Sequence, residues 1–349
     1  MAVLVDILLI VIAFGFIFEI SKRYKKMSFF SSLFLMSSII GTVYETVGSG
    51  GDYDNYRYSF QHLVAGKIPE KEKLFYFVNV VFKNFTDNYA IVYYSYILFI
   101  NLLIVYIIYK YSKNIELSLL IYIVMAGYST ASNITRQFCA VAIFTYSIKY
   151  LIRNEYYKYI IAGLIAFQFH STAVVAFTIG LLVKVFTKKI SENYIMYFIG
   201  INSLIVIEPI IRQIAIELLY NGYNNSTFEY GSNILHYVVQ LFFVAIYIFS
   251  LGKKEIDEDT KLIINIATIA SVFTLLSQNM VLYARIATYF NIFNAIAIPN
   301  VIIENNYIKE RRILFYSIFL VIIIYYAMLT RGGFILESFI MDYFYNIFK

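Results

Sequence analysis

Arginines at the ends of apolar segments are the residues of this sequence best placed to do chemistry. Of the nine arginines, five fall on the side of the membrane that the charge pattern below assigns to the exterior: Arg57, Arg136, Arg212, Arg285 and Arg331. Because a cation drawn into a bilayer costs about 2.5 to 3.5 kcal/mol, an anionic partner is expected. The planar guanidinium binds phosphate oxygens in pairs, which favours a phosphate ligand for the set. Any single arginine could instead reach lipid phosphates or pair with Glu208, Glu217 or Glu229.

A tyrosine-rich acidic segment is a second candidate site. It contains Asp52, Tyr53, Asp54 and Tyr56, after a glycine-rich stretch. Rings that stack on sugar faces and carboxylates that orient hydroxyls would suit a carbohydrate, whereas the structural alternative is a solvated loop in a tyrosine-rich chain. Asp52 and Asp54 also match the short D-x-D pattern of metal-dependent sugar transferases. So short a match occurs by chance, and we predict no metal site from it.

A histidine inside an apolar run is the third candidate. The run from Tyr159 to Val183 is interrupted by Gln168, His170, Ser171 and Thr172. An apolar residue would cost less free energy at this depth, so His170 is predicted to take part in chemistry. It could accept a proton or contact a leaving group, and the structural alternative is a hydrogen-bonded histidine in a helix kink.

The composition indicates that a polytopic membrane protein holds these residues. The chain has 349 residues, of which 60% are hydrophobic and 14% charged, and a mean hydropathy of +0.70. This excludes an ordinary soluble domain, and at about 20 residues per spanning helix it leaves room for little else. The single Cys139 excludes disulfides, CxxC zinc sites and iron-sulfur clusters. We predict one all-α transmembrane domain over residues 1–349, with outer loops at about 45–89 and 212–232.

Ten apolar runs, bounded by charged or turn residues, predict spanning helices. They are residues 3–20, 29–44, 90–109, 115–131, 137–152, 192–211, 233–251, 262–280, 284–303 and 313–329. The basic cluster from Lys22 to Lys26 places the first connection in the cytoplasm and the N-terminus outside, because basic residues favour the cytoplasmic side. The sides of the other connections follow by alternation.

The interrupted run at 159–183 predicts a re-entrant hairpin. If the run turns back on itself, 18 of the 28 lysines and arginines lie inside and 10 outside, whereas a single crossing puts 13 inside and 15 outside. Only the hairpin obeys the positive-inside rule. Broken backbone at membrane depth must be buried in protein or line a wet cavity, so we expect His170 to face a cavity open to the exterior.

Four short motifs follow one another between about residues 40 and 300. They are G-D-Y-x-x-Y-x-x-x-F from Gly51 to Phe60, the Arg136-Gln137 pair, the run from Ala166 to Ala173, and R-I-x-x-Y-F from Arg285 to Phe290. In this order they resemble the pattern of EpsG-like proteins, which are bacterial membrane proteins of the Wzy-type polysaccharide polymerase class. The segments between the motifs show only hydrophobicity.

This resemblance implies a glycosyltransferase-type enzyme with a GT-C-like polymerase architecture. Its substrates would be undecaprenyl-diphosphate-linked oligosaccharides, both as donor and as acceptor. Polymerisation into O-antigen, capsule or exopolysaccharide would occur on the outer face of the bacterial cytoplasmic membrane, in contact with membrane lipid, and a chain-length regulator is a further candidate partner. Neither a cofactor nor nucleic acid is implied, because the donor carries its own activation.

The resemblance also gives the candidate residues their roles. Arg136 and Arg285 would bind the diphosphate, with Arg57 as a weaker third member. His170 would be the catalytic residue, as proton acceptor or leaving-group contact, with Asp52 as the alternative base. The residues expected to bind the sugars are Tyr53, Asp54, Tyr56 and Gln137.

Three other functions remain open from the sequence. A glycan ligase that uses the same lipid carrier would need the same arginines, although ligases more often place a key histidine in a large late outer loop, and 212–232 has none. A flippase or transporter of the lipid-linked unit should show repeat-related halves, which are not found. A membrane acyltransferase would use an intramembrane histidine but would not require several outer arginines.

Overall fold

Helices make up most of the chain that the structure describes. This computed structural model describes residues 52–63, 72–125, 134–193, 234–251, 256–277, 281–304 and 311–321, and a few positions between 195 and 213. The helices are α1 (Asp52–Gln61), α2 (Lys73–Lys83), α3 (Tyr89–Tyr111), α4 (Ile115–Val124), α5 (Thr135–Ile152), α6 (Tyr156–Phe167), α7 (Ala173–Glu192), α8 (Ile234–Leu251), α9 (Glu258–Leu276), α10 (Val281–Asn291) and α11 (Asn294–Ile303). Residues 311–321 are also helical, and none of these ranges contains a strand.

The long apolar helices coincide with predicted spans. α3 covers the span predicted at 90–109, and α9 covers most of the one predicted at 262–280. Both are long and apolar enough to cross a membrane, and α10 with α11 would make a third crossing if they form one bent span. The spans predicted at 3–20 and 29–44 and the outer loop at 212–232 lie outside the described residues, so the number of ten spans stays a prediction.

The span predicted as one helix at 284–303 is bent. α10 and α11 meet at an angle of 45°. At the bend the hydrogen bonds join residues three apart, from Phe293 N–H to Phe290 O at 3.0 Å and from Ala295 N–H to Ile292 O at 3.1 Å. Such bonds tighten the helix into a 3₁₀-like turn and change its direction. The prediction of one unbroken helix did not take account of Asn291, Asn294 and Pro299, which lie at or just after the break.

The chain reverses its direction between α6 and α7, as the hairpin prediction requires. The Tyr159 hydroxyl on α6 donates a hydrogen bond of 3.0 Å to the Phe177 carbonyl oxygen on α7. Gly163 lets the two helices approach closely, because a Cβ there would lie 2.9 Å from the Phe177 ring. The two helices therefore pack antiparallel around a turn at 168–172.

The start of α6 and the end of α7 lie near the same end of the helix bundle. The charges of Arg153, which precedes α6, and of Asp259 on α9 both act on Tyr111. The charge of Lys184 on α7 acts on the same Asp259. A single crossing would have carried residue 184 to the opposite end from residue 153. Re-entry of the hairpin into a membrane stays a prediction.

A polar cluster joins three connections at this end of the bundle. Lys113, between α3 and α4, pairs with Asp257 at 3.0 Å and also contacts Glu304 after α11. The Asn300 side chain accepts a hydrogen bond of 2.8 Å from the Lys113 main-chain N–H. Arg136 and Arg285 lie at the opposite end of the bundle from this cluster, where α5 and α10 start.

α5 lies at the centre of the bundle and is buried along almost its whole length. It packs against α3, α6, α7 and α10. Small side chains such as Cys139, Ala140 and Ala142 are fully buried, which allows neighbouring helices to approach closely. The start of α5 therefore holds a fixed position among its neighbours.

The predicted outer loop at 45–89 contains two helices, α1 and α2, which the sequence analysis did not anticipate. Aromatic contacts hold both against α3. The Tyr53 ring lies 5.0 Å from that of Tyr93 in an edge-on contact, and Phe75 stacks on Tyr96 at 5.2 Å. The tyrosines that suggested a sugar-binding loop thus partly serve to pack these helices.

Candidate active site

Glu72, the residue just before α2, joins three parts of the molecule. Its Oε2 lies 2.7 Å from Nη1 of Arg136, and its Oε1 accepts a hydrogen bond of 3.4 Å from the Ser171 main-chain N–H. The Leu74 N–H also donates to the Gln168 carbonyl oxygen at 3.2 Å. The start of α2 is thereby fastened to the start of α5 and to the turn between α6 and α7.

The backbone of Glu72 is strained. Its φ of 60° and ψ of 42° lie in the left-handed region. That conformation costs a residue other than glycine about 1 to 2 kcal/mol. Strain of this kind persists where surrounding contacts impose it, and it concentrates at functional sites. The ion pair with Arg136 and the hydrogen bond from Ser171 are the contacts that offset it here.

Arg136 is the second residue of α5, and aromatic rings flank its guanidinium. The Cζ atom lies 5.9 Å from the centre of the Tyr56 ring and 6.0 Å from that of Phe75. Its Nε is buried and makes no hydrogen bond within the described part of the chain. A buried N–H without an acceptor costs about 1 to 3 kcal/mol. Arg136 therefore has capacity for an acceptor beyond the Glu72 carboxylate.

His170 lies at the end of a short hydrogen-bonded chain. Its Nδ1 lies 2.7 Å from Oγ1 of Thr172 and accepts a weaker bond of 3.4 Å from the Thr172 main-chain N–H. The Thr172 Oγ1 lies 3.1 Å from the Tyr289 hydroxyl on α10. Because a main-chain N–H can only donate, we assign Nδ1 as the acceptor and the proton of the neutral ring to Nε2. Tyr289 then donates to Thr172, which donates to His170.

The imidazole of His170 is neutral at physiological pH. Burial in the turn, then the charge of Arg136 and then that of Arg285, lower the pKa of His170 to about 4. All three effects disfavour the imidazolium ion. His170 lies outside the candidate membrane spans, and its side chain is only 6% exposed. Both arginines are thus near enough for their charges to act on one buried imidazole.

Arg285 is positioned through its backbone. The side-chain amide of Gln137, the residue after Arg136, donates a hydrogen bond of 2.7 Å to the Arg285 carbonyl oxygen. The Arg285 side chain is exposed, whereas Gln137 is 3% exposed. Gln137 was expected to bind sugar, but its amide is used to join α5 to α10. The structure therefore gives it a positioning role.

Tyr53 also differs from its expected role. It is buried, and its ring contacts those of Tyr89 and Tyr93 at centre-to-centre distances of 5.4 and 5.0 Å. A ring enclosed by other rings offers no open face to a sugar. The sequence could not distinguish this tyrosine from its neighbours, because the segment was treated as a loop.

The other residues predicted on α1 lie at the edge of the site. Tyr56 faces Arg136 across 5.9 Å, Arg57 is exposed, and Asp54 is partly buried. No contact described in the structure brings Arg57 to the other two arginines. Asp52 begins α1, but its side chain lies outside the described residues. Arg212 and Arg331 lie outside them as well.

Two site residues were not assigned by sequence reasoning. Glu72 stands between Lys71 and Lys73, so it resembled part of a solvated charged turn. Tyr289 belongs to the last motif, but nothing in its spacing connected it with Thr172. A carboxylate beside a predicted phosphate-binding arginine could have been sought from the chemistry alone.

The groups that contact the Glu72 carboxylate are donors that could hold another anion in its place. We call the Arg136 guanidinium and the Ser171 main-chain N–H together the anion site. The Glu72 carboxylate contacts both groups. Ser171 lies two residues before the first residue of α7, close to the helix end whose dipole favours negative charge. Within the described ranges, no group of three or more His, Cys, Asp or Glu side chains is placed to hold a metal ion.

The comparison with family models places the chain in one family. The model of the EpsG family matches residues 26–344, which include every residue of the site. Searches of the curated proteins and of the solved structures give no match. The match covers nearly the whole chain, so this protein belongs to the EpsG family.

Proposed function

We propose that this protein polymerises undecaprenyl-diphosphate-linked oligosaccharide repeat units into a surface polysaccharide on the outer face of the bacterial cytoplasmic membrane. Membership of the EpsG family supports a polysaccharide polymerase. The observation that carries the reaction is the hydrogen bond of 2.7 Å from Gln137, the residue after Arg136, to the Arg285 carbonyl oxygen, which joins the starts of α5 and α10 near the buried His170. Two phosphate-binding cations and an uncharged hydrogen-bonding ring therefore occupy one site.

The reaction transfers the growing glycan from its lipid diphosphate to a hydroxyl of one lipid-linked repeat unit. The acceptor oxygen bonds to the anomeric carbon while the bond from that carbon to the diphosphate breaks, and the hydroxyl proton passes to a base. Negative charge develops on the leaving diphosphate. Arginines placed before the reaction stabilise that charge more in the transition state than in the ground state.

Glu72 marks the position that a phosphate oxygen would take. Its carboxylate pairs with Arg136 at 2.7 Å and accepts from Ser171 at the start of α7. We propose that the diphosphate displaces this carboxylate and also uses the buried Nε of Arg136. Displacement releases Glu72 from its left-handed conformation, so relief of backbone strain offsets part of the lost ion pair.

His170 is proposed to contact the leaving group. Its Nδ1 is occupied by Thr172, so the ring presents the Nε2 proton as a donor. Donation to a diphosphate oxygen would assist departure without a change in the charge of the ring. This favours the leaving-group role over the proton-acceptor role, and Asp52 remains the sequence-based candidate for the base.

The proposal is tested with purified protein in lipid vesicles that contain the lipid-linked repeat unit. Wild-type protein should produce a ladder of polymer and release undecaprenyl diphosphate. Arg136→Ala and Arg285→Ala should each lower the rate at least about a hundredfold, because part of the developing charge is left uncompensated. Lysine replacements should recover little, since they lose the paired geometry.

Arg153→Ala is the matched control, because Arg153 is an exposed arginine at the other end of α5. It should leave the ladder unchanged. A normal ladder from Arg136→Ala or Arg285→Ala would show that the arginine does not act in the reaction. Transfer of finished glycan to another acceptor, without any ladder, would instead identify a ligase.

A further inference from the structure

A groove between α2 and α6 opens beside the anion site. Its volume is about 480 Å³, and its lining residues are Lys73, Leu74, Phe77, Ile161, Leu164, Ile165 and Gln168. The two polar residues lie together at one end, where Leu74 N–H donates to the Gln168 carbonyl oxygen at 3.2 Å. The rest of the lining is apolar. The groove therefore has one polar end and an apolar length.

The apolar lining does not belong to the core. Leu164 is 63% exposed and Phe77 is 60% exposed, whereas Tyr159, Ala162 and Ala166 on the opposite side of α6 are buried against the bundle. Apolar side chains exposed along both walls of a groove favour an apolar ligand between them. In a membrane, that ligand is a hydrocarbon chain.

The polar end adjoins the residues that bind an anion. Lys73 directly follows Glu72, and Gln168 precedes His170 by two residues. The positive charges of Lys73 and Arg136 complement a diphosphate, whereas the apolar walls complement a chain attached to it. An amphiphile with a doubly phosphorylated head and one long hydrocarbon tail matches both parts.

We propose that this groove binds the first isoprene units of the polyprenyl chain of the lipid-linked substrate, with Lys73 contacting its diphosphate. The proposal rests on the proposed function, because it assigns the tail of the same substrate. Grooves of about 300 to 1,000 Å³ hold small-molecule ligands, so this one holds the part of the chain nearest the head group. The rest of the chain extends into the bilayer.

Photocrosslinking tests the groove without any turnover. The photoreactive residue p-benzoyl-phenylalanine replaces Leu164 in one variant and Ile160 in the other, in vesicles of phosphatidylglycerol and phosphatidylethanolamine that contain radiolabelled undecaprenyl diphosphate. Ile160 is the matched control, because it lies on α6 and is 54% exposed but does not line the groove. The position-164 variant should capture at least about five times more label, a preference of about 1 kcal/mol.

Competition identifies what the groove recognises. Excess unlabelled undecaprenyl diphosphate should remove the label at position 164, whereas undecaprenol, which has the chain but no phosphate, should compete poorly. Lys73→Ala should reduce capture at 164. Equal capture at 160 and 164, or equal competition by undecaprenol, would overturn the proposal and leave an ordinary lipid-facing surface.

The polymer ladder separates this proposal from the proposed function. Leu164→Trp, which fills the groove, should lower polymerisation, whereas Ile160→Trp should not. Selective capture at 164 by a protein that makes no polymer would support the groove and contradict the polymerase. A normal ladder together with unselective capture would contradict the groove alone.

Discussion

The side-chain amide of Gln137 donates a hydrogen bond of 2.7 Å to the main-chain carbonyl oxygen of Arg285. Gln137 is also the residue after Arg136. One arginine of the proposed site therefore precedes Gln137 on α5, and the backbone of the other is held by Gln137. This bond fixes the start of α10 against the start of α5. A change at Gln137 should alter the distance between the arginines without removing either charge.

Gln137→Leu should lower the rate of polymerisation about tenfold and leave the protein folded. It keeps a side chain of similar size but removes the second hydrogen bond to the Arg285 carbonyl oxygen, beside the one within α10, at a cost of about 0.5 to 1.5 kcal/mol. Vesicle assays at varied substrate concentration, with thermal unfolding as the control, measure the effect. An unchanged rate in a variant of unchanged stability would contradict the positioning role.

Glu72→Gln should bind the diphosphate lipid more tightly than wild type. The substitution removes the carboxylate that competes for Arg136, and an ion pair of this exposure contributes about 1 kcal/mol at most, which corresponds to about a fivefold lower Kd. Binding of radiolabelled undecaprenyl diphosphate to the protein in lipid discs gives the value.

The reverse result has a clear meaning. Weaker binding by Glu72→Gln would show that the carboxylate holds Arg136 in place for the ligand and is not displaced by it. Glu155→Gln provides the control, because Glu155 also forms an ion pair, with Lys158 at 3.0 Å, but lies at the other end of α6. Its affinity should equal that of wild type.

The rate of polymerisation should not depend on the protonation of His170 between pH 8 and pH 5. Its pKa is lowered to about 4 by burial and by Arg136 and Arg285, so the neutral form persists as the pH falls through this range. His170→Gln, which keeps a hydrogen-bond donor, should retain about a tenth of the activity or more, whereas His170→Ala should lose about a hundredfold.

Initial rates of ladder formation, measured as a function of pH, test this. An inflection near the ordinary histidine pKa of about 6.5 that disappears in His170→Gln would contradict the lowered pKa. Equal loss in His170→Gln and His170→Ala, at normal protein levels, would return His170 to the role of proton acceptor.

The site should face the exterior of the cell. In a Cys139→Ala background, His62→Cys on the exposed end of α1 should react with an impermeant thiol reagent in intact cells. Arg153→Cys, at the opposite end of the bundle, should react only after the membrane is opened. Labelling of both from outside would contradict the sides predicted for the connections between α1 and α6.

Sequence reasoning selected candidate residues that lie in motifs and passed over residues whose importance depends on three-dimensional contacts. Arg136, His170 and Arg285 could be chosen because each interrupts or borders an apolar run, where a polar residue needs a reason. Glu72 could not, because charged neighbours on both sides make it look solvated. The bend between α10 and α11 was also missed, although Asn291 and Asn294 lie at it and Pro299 follows in the same span.

The contact that Gln137 makes could not be foreseen for a related reason. A polar residue beside a candidate phosphate-binding arginine suits substrate contact or internal packing equally well, and the direction of its side chain follows from helix packing that the sequence does not specify. The same holds for Tyr53, whose burial depends on where α1 lies against α3.

The length of α6 has a consequence for the competition between sugar and water. α6 has 12 residues and rises about 1.5 Å per residue, so it extends about 18 Å, less than the hydrocarbon thickness of about 30 Å. On the proposed topology, His170 therefore lies below the membrane surface, and the diphosphate must enter a recess to reach it. His170 is only 6% exposed, unlike the wet cavity expected from the sequence, so we expect little bulk water beside it and an activated glycan should meet the acceptor hydroxyl more often than it is hydrolysed. We expect wasteful cleavage of the donor to stay low even when the acceptor is dilute.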